Sequence, residues 1–83
     1  MMVKVRYRAQ LAEMTKINGE QIEASVVKDV LRHIGKNFGS AAEKTAKTMI
    51  IAVNGESILQ LKHYKTALHE DDEVSFLPIC GGG

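Results

Sequence analysis

The 83-residue sequence predicts an α+β fold, in which one main helix covers one face of a four- to five-stranded mixed sheet. Three observations carry this prediction. The chain opens and closes with segments in which apolar and polar residues alternate, as they do in strands with one buried face. Between these segments, apolar residues recur at helical spacing. A β-branched apolar run followed by Asn54-Gly55 predicts a further strand and a tight turn.

The first strand is predicted from the alternation at the start of the chain. Its apolar positions, which point to one side, are Val3, Val5 and Tyr7. Its basic positions, which point to the other, are Lys4, Arg6 and Arg8. Residues 9–16 are mixed and could hold one helical turn. Alternation returns over residues 21–24, after Asn18-Gly19, and predicts a second strand paired with the first as a hairpin.

The main helix is predicted over residues 26–38, with Ser25 as the N-cap and Gly39 as the C-terminal stop. Its apolar positions are Val27, Val30, Leu31, Ile34 and Phe38. A basic row follows the opposite side at four-residue intervals: Lys28, Arg32 and Lys36. Such a row is typical of a solvated face, with a partner-binding role as the alternative. The polar, alanine-rich residues 40–47 predict either a loop or an extra turn of helix.

A central strand is predicted over residues 48–53, because a near-continuous β-branched run is typical of an interior strand covered on both faces. Asn54-Gly55 tolerates the positive φ values of a type I′ turn, so residues 56–59 should begin a short partner strand. Residues 60–69 have no clear period, and residues 70–72 form a charged turn. The last strand is predicted over residues 73–79, with Pro78 at its end or on an edge. One side of this predicted strand has Val74, Phe76 and Pro78. The other side has Ser75, Leu77 and Ile79.

This order of elements matches the β-grasp fold of ubiquitin-like proteins, although order alone would also allow a ferredoxin-like half or another small α+β domain. We therefore expect one domain over residues 1–79 and a flexible C-terminal tail over residues 80–83.

Composition excludes several classes of function. Eleven Lys and Arg oppose ten Asp and Glu, and a formal charge of +1 does not favour nonspecific binding to nucleic acid or anionic membranes. The longest apolar run, residues 49–53, is far shorter than the ~20 residues of a membrane helix. The opening residues do not resemble a secretory leader. The single cysteine, Cys80, cannot form an internal disulfide, so we expect a cytoplasmic protein.

The sequence does not assemble a metal or catalytic set. His33, His63 and His69 could join Cys80 as metal ligands, but their spacing favours surface histidines. Catalysis by Cys80 with a histidine base would have to operate three residues before Gly83, with no supporting shell of residues to hold its geometry. The acidic residues 70–73 could bind a divalent cation, although solvated charge is the more usual role. The row formed by Lys4, Arg6 and Arg8 could meet phosphates or an acidic partner, but no aromatic residue on its face offers base stacking.

The sequence ends in three glycines directly after the last strand. Glycine has a high conformational entropy cost when ordered and has no side chain to bury, so the fold gives no reason for three of them there. The alternatives are an unselected, frayed end and a thin tail whose carboxylate a partner must handle.

Here the sequence resembles the MoaD/ThiS-type ubiquitin-like sulfur carriers, most closely the MoaD branch of molybdopterin synthase small subunits. The segments that carry the resemblance are VKVRYRAQLAEMT, SVVKDVLRHI, IIAVNGESI and LHEDDEVSFLPICGGG. Gly82 and Gly83 fall on the terminal Gly-Gly of the family. The chain departs from the family in the residues just before that pair, where it has Cys80 and the extra Gly81.

The resemblance implies a β-grasp carrier that is not an enzyme on its own and binds no cofactor. A ubiquitin-activating-type enzyme, using ATP and Mg²⁺, would adenylate the Gly83 carboxylate, and a sulfur donor would convert it to a thiocarboxylate. The large subunit of molybdopterin synthase would then receive the tail, with Gly82 and Gly81, in a heterotetramer. Conjugation of Gly83 to lysines as a protein modifier is an alternative. Sulfur carriage for thiamine, tRNA or an amino acid is another.

The outer face of the last strand is the predicted docking surface. If Val74 and Phe76 face the helix, Leu77 and Ile79 are apolar residues exposed beside the tail. Arg6 and Arg8 are then expected as rim charges. Alternatively, Leu59 or Leu61 simply covers the strand end. Cys80 could attack the activated terminus or form a mixed disulfide, although a small tolerated residue is the simpler account.

Overall fold

The computed structural model describes residues 1–79, which form a five-stranded mixed sheet with helices packed on one face. The strands are β1 (Met2–Tyr7), β2 (Gly19–Glu23), β3 (Ile50–Val53), β4 (Glu56–Ser57) and β5 (Glu73–Leu77). The helices are α1 (Gln10–Thr15), α2 (Val27–Phe38) and α3 (Ser40–Lys47), and the 3₁₀ turns are Ile58–Gln60 and His63–Lys65. The predicted tail, Cys80, Gly81, Gly82 and Gly83, lies outside the described residues.

The sheet has the order β2-β1-β5-β3-β4, with β1 parallel to β5 and the other neighbouring strands antiparallel. This is the β-grasp arrangement, so the predicted fold class is confirmed. All three helices contribute to one core with the inward residues of the sheet. The largest side chains that the core excludes from solvent are Tyr7, Phe76, Leu11, Leu31 and Ile34.

The pairing of β1 with β2 is confirmed, but the connection is not a tight hairpin. Gly19 lies within β2, opposite Arg6, and does not form part of a two-residue turn. Residues 8–18, which include α1, join the strands instead. Leu11 and Thr15 of α1 are buried, so this connection also covers part of the core.

Helix α2 begins one residue later than predicted, and Asp29 caps it in place of Ser25. The Asp29 carboxylate accepts hydrogen bonds from the backbone N–H groups of Ser25, at 2.9 Å, and Val26, at 3.3 Å. A carboxylate in the first turn also interacts favourably with the positive end of the helix dipole. The prediction of a Ser25 hydroxyl cap was therefore wrong, because the capping group reaches back from the third helical residue.

Gly39 ends α2 as predicted, with a φ of 100° that favours glycine. The chain then enters α3 directly, so the helical alternative for residues 40–47 is correct. Ala42 and Ala46 are fully buried and lie four residues apart, on the side of α3 that meets the core.

Strand β3 is shorter than predicted, and helices cover only one of its faces. Ile51 and Val53 lie in the core; on the outer face, Ile50 is exposed whereas the small Ala52 is buried. The expectation of cover on both faces therefore fails at Ile50, because every described helix packs on the opposite side. The turn at Asn54 and Gly55 is confirmed, with φ values of 51° and 86°.

Candidate functional site

The last strand, β5, ends beside the carboxyl end of its parallel neighbour β1. β1 and β5 run side by side with Tyr7 opposite Phe76, so the end of β1 lies at the edge from which residues 78–83 continue. Pro78 directly follows β5, consistent with its lack of a donor for the ladder. The candidate site is therefore built around the last two residues before the undescribed tail, Pro78 and Ile79.

Of the two predicted apolar docking residues, only Leu77 lies within the last strand, because β5 ends at Leu77 and the predicted extension of this strand to residue 79 was wrong. Val74 and Phe76 are buried against the helices, and Leu77 lies on the outer face, half-buried opposite Ile50 of β3. Ile79 is 63% exposed. Leu59 does not bury the strand end, because Leu59 itself is 69% exposed.

An apolar groove of about 280 Å³ lies beside Ile79. Four exposed large hydrophobic side chains line it: Ile50, Leu59, Tyr64 and Ile79. They are half of the eight such residues in the described part of the chain, so exposed apolar surface is concentrated here. Lys47 and His63 supply polar lining, and no carboxylate residue belongs to the described lining. Such a concentration of exposed apolar side chains is typical of a partner-binding surface.

Two 3₁₀ turns place Leu59 and Tyr64 along the groove. The Ser57 hydroxyl accepts a hydrogen bond from the Leu59 N–H at 3.2 Å and caps the first turn. The Thr66 hydroxyl accepts one from the Lys62 N–H at 3.0 Å beside the second. Leu59 was expected only as possible cover for the end of the strand, and Tyr64 was not predicted because residues 60–69 lack periodicity. The only signal was the presence of large apolar residues in an otherwise polar segment.

Arg6 and Arg8 lie at the same end of the sheet but outside the groove. Both are exposed, and Arg6 Nε donates a hydrogen bond to Glu73 Oε2 at 2.7 Å. This hydrogen bond holds the pKa of Glu73 below its usual range. A separate depression of about 360 Å³ is lined by both arginines, on the β1 side of β5. The arginines and the groove therefore flank β5 on opposite sides.

The acidic segment before β5 is organised as a turn. Asp72 accepts hydrogen bonds from the Asn54 amide at 2.9 Å and from the His69 backbone N–H at 2.7 Å, and these hold the pKa of Asp72 below its usual range. His63 and His69 are exposed. Within residues 1–79, no group of three or more His, Cys, Asp or Glu is arranged to hold a metal ion. No helix of this part of the chain has the length and apolar character to cross a membrane.

A buried polar cluster joins β1, β2 and α2. The Tyr7 hydroxyl donates a hydrogen bond to Glu20 at 2.6 Å, and His33 Nε2 lies 2.9 Å from the same carboxylate oxygen. Burial, together with the Glu20 carboxylate, raises the pKa of Tyr7 far above its ordinary value. His33 was expected on the surface, but its side chain is half-buried in this cluster. The role of Glu20 in this cluster was not predicted from the sequence, because it depends on the pairing of β2 with β1, which directs Glu20 toward α2.

Comparisons with known proteins agree with this geometry. The sequence model of the ThiS family matches residues 5–83. No curated protein matches the chain at a significant level. The solution structure of small archaeal modifier protein 1 from Methanosarcina acetivorans is 25% identical, with a TM-score of 0.85 over 100% of this chain and 99% of that one.

Two further solved structures come from molybdopterin-converting factors. One is a complex of subunits 1 and 2 from Helicobacter pylori, in which the matched chain is 25% identical, with a TM-score of 0.73 over 100% of both chains. The other is a putative subunit 1 from Pyrococcus furiosus, 24% identical, with a TM-score of 0.72 over 94% of this chain and 97% of that one. The second likeness supports the fold alone.

Proposed function

The chain belongs to the ThiS family of ubiquitin-like sulfur carriers, and from this premise we propose that it carries sulfur as a thiocarboxylate on Gly83. We further propose that it supplies this sulfur in molybdopterin biosynthesis, as the small subunit of molybdopterin synthase. The observation that carries the proposal is the family match over residues 5–83, which includes Gly82 and Gly83. Similarity to a chain in the Helicobacter pylori complex supports the assignment to a two-subunit synthase.

The proposed chemistry takes place on the terminal carboxylate. A carboxylate is a poor acyl donor until one of its oxygens becomes a good leaving group. A ubiquitin-activating-type enzyme, using ATP and Mg²⁺, joins AMP to the Gly83 carboxylate and releases pyrophosphate. The persulfide sulfur of a donor then attacks the carbonyl carbon and displaces AMP. Cleavage of the sulfur–sulfur bond by a thiol leaves Gly83 as a thiocarboxylate.

The last residues suit delivery into a narrow active site. Residues 80–83 span at most about 14 Å when extended. Gly81, Gly82 and Gly83 have no Cβ to collide with the walls of a channel. The domain therefore acts as the part that partners hold, while the terminal carboxylate reaches chemistry that the partners perform.

The proposed docking surface combines the groove with the end of β5. Leu77, Ile79 and the lining residues of the groove supply its apolar centre, and Arg6 and Arg8 supply charge at its rim. Its partners are the adenylating enzyme and the large synthase subunit, which bind in turn. A shared surface fits a carrier that must leave one enzyme before it reaches the next.

Reconstitution tests the proposed destination of the sulfur. Thiocarboxylated chain is mixed with the cognate large subunit and a cyclic pterin precursor, and the dithiolene product is quantified. We expect product in proportion to the thiocarboxylate consumed, and none from a chain that lacks Gly83. Sulfur transfer to a thiamine precursor or a tRNA, with none to the pterin, would contradict the molybdopterin assignment while leaving sulfur carriage intact.

A protein modifier is the second candidate. The observation that favours it is the likeness to small archaeal modifier protein 1 over essentially the whole of both chains. In this case, the activated Gly83 carbonyl forms an isopeptide bond with a lysine of another protein. Mass spectrometry of cell extracts would then identify peptides that join Gly83 to lysine Nζ, and deletion of Gly83 would remove them.

A further inference from the structure

Charge is unevenly distributed between helices α2 and α3 and the rest of the chain. Helices α2 and α3 carry five cationic side chains: Lys28, Arg32, Lys36, Lys44 and Lys47. Their two carboxylates are Asp29 and Glu43, so these two helices together have a net charge of +3. Because the whole chain has a formal charge of +1, the remaining residues together carry −2. The excess of positive charge therefore lies on α2 and α3.

Three of these cations form a row along α2, which we call the α2 ladder: Lys28, Arg32 and Lys36. All three are exposed, on the side of the helix that faces away from the sheet. Like charges four residues apart destabilise a helix, and the ladder contains two such pairs. Lys28 also lies in the first turn, where the helix dipole disfavours positive charge. The ladder is thus an arrangement that the helix itself does not favour.

The nearby carboxylates do not neutralise the ladder. Asp29 is engaged by the backbone N–H groups at the start of α2. Glu43 lies 3.7 Å from Lys47 within α3. In the described part of the chain, no salt bridge reaches Lys28, Arg32 or Lys36. Where a sequence departs from the preferences of a helix and no interaction within the fold compensates for this, the surface concerned is often functional.

We infer that the α2 ladder binds an acidic α-helix of a protein partner. Lys28 and Lys36 are eight residues apart, which corresponds to about 12 Å along the helix axis. Carboxylates at positions i, i+4 and i+8 of a partner helix have the same spacing and the opposite sign. A protein is favoured over a nucleic acid because the ladder contains no aromatic residue on which bases could stack.

This second surface is separate from the proposed docking surface. No residue of α2 lines the groove beside Ile79. A partner helix bound to the ladder therefore leaves the groove and the end of β5 accessible, so the carrier can be held on one side while its terminus is handled on the other. The inference does not depend on sulfur chemistry and is tested without it.

The test uses a synthetic peptide of about 18 residues, long enough to be helical, with Glu at three positions four residues apart. The peptide is titrated into the full ¹⁵N-labelled chain, and amide chemical shifts are followed by NMR. We expect the largest shifts in α2 and a Kd that rises with salt, because screening weakens exposed ion pairs. Replacing Lys28→Glu and Lys36→Glu together should weaken binding by about tenfold.

A matched control has the same change in net charge at another site. Lys4→Glu with Lys16→Glu reverses two exposed cations, one on the outer face of β1 and one just after α1, and should leave the Kd within about twofold of wild type. Equal weakening in both double variants would overturn the inference, because net charge alone would then explain binding. Largest shifts outside α2, or no shift at all, would also overturn it. So would tighter binding of a mixed-sequence oligonucleotide at the same residues.

Discussion

Truncation of the exposed groove residues should weaken partner binding without unfolding the domain. Complete burial of an exposed Leu or Ile side chain is worth about 1.5–3 kcal/mol. Leu59 is 69% exposed and Ile79 is 63% exposed, so a partner that covers them gains about 1–2 kcal/mol from each. Leu59→Ala and Ile79→Ala should therefore each raise the Kd for the adenylating enzyme by about 5- to 30-fold.

The same exposure predicts little effect on folding. A side chain already in solvent contributes little to the core, so each variant should change the free energy of unfolding by about 0.5 kcal/mol or less. Calorimetric titration against the adenylating enzyme measures the affinity, and urea unfolding measures the stability. Met14→Ala is the matched control, because Met14 is an exposed apolar residue of α1 that does not line the groove.

Two results would refute this reasoning. If neither groove variant changed the Kd, the groove would not be part of the interface. If Met14→Ala weakened binding as much as Leu59→Ala, the effect would reflect general loss of apolar surface.

Three further predictions concern the fold. Tyr7→Phe removes the hydroxyl that donates a hydrogen bond to Glu20 at 2.6 Å and should lower the free energy of unfolding by about 1.5–3 kcal/mol. Urea titration measures this loss, and an unchanged midpoint would contradict the proposed role of the hydrogen bond. Gly39→Ala places a side chain at a φ of 100° and should lower the free energy of unfolding by more than about 1 kcal/mol. A lower thermal midpoint would show this loss, whereas a wild-type midpoint would contradict it. The pKa of Asp72 is lowered in the folded state, so its stabilisation is present above the ordinary Asp pKa of about 4 and is lost as pH falls through the folded value. Asp72→Asn should therefore lower the urea midpoint at pH 7, and this loss should shrink as the pH falls below about 4; a loss that is the same at every pH would argue against the charge.

Residues with strong local preferences were predicted well from the sequence. The alternation of Val3, Val5 and Tyr7 identified β1 because a strand with one buried face requires that period. Asn54-Gly55 identified a turn with positive φ at both positions. Such signals depend on residues that are close together in the sequence, so they do not require knowledge of the tertiary structure.

Features that depend on tertiary packing were predicted less well. Ser25 is a good N-cap by type, yet Asp29 supplies the acceptor because the helix begins after Val26. The one-sided cover of β3 follows from the position of the helices, which the apolar run at Ile50 does not encode.

The residues of the candidate site also fall into those predicted from local sequence patterns and those that depend on tertiary packing. The outward position of Leu77 followed from the alternation in the last strand, whereas Ile79 lies beyond that strand. Leu59 and Tyr64 reach the groove through two 3₁₀ turns, which no sequence period predicted. The proposed roles of Gly82 and Gly83 remain predictions, because these residues lie outside the described part of the chain.

The intact mass of the chain tests sulfur carriage most directly. The chain is co-expressed with its adenylating enzyme and a sulfur donor, purified without added thiol and weighed by mass spectrometry beside a variant that lacks Gly83. Sulfur carriage predicts a species heavier by the difference between one sulfur and one oxygen atom, absent from the variant. An unmodified mass, obtained while the same enzyme and donor modify another carrier, would contradict the account.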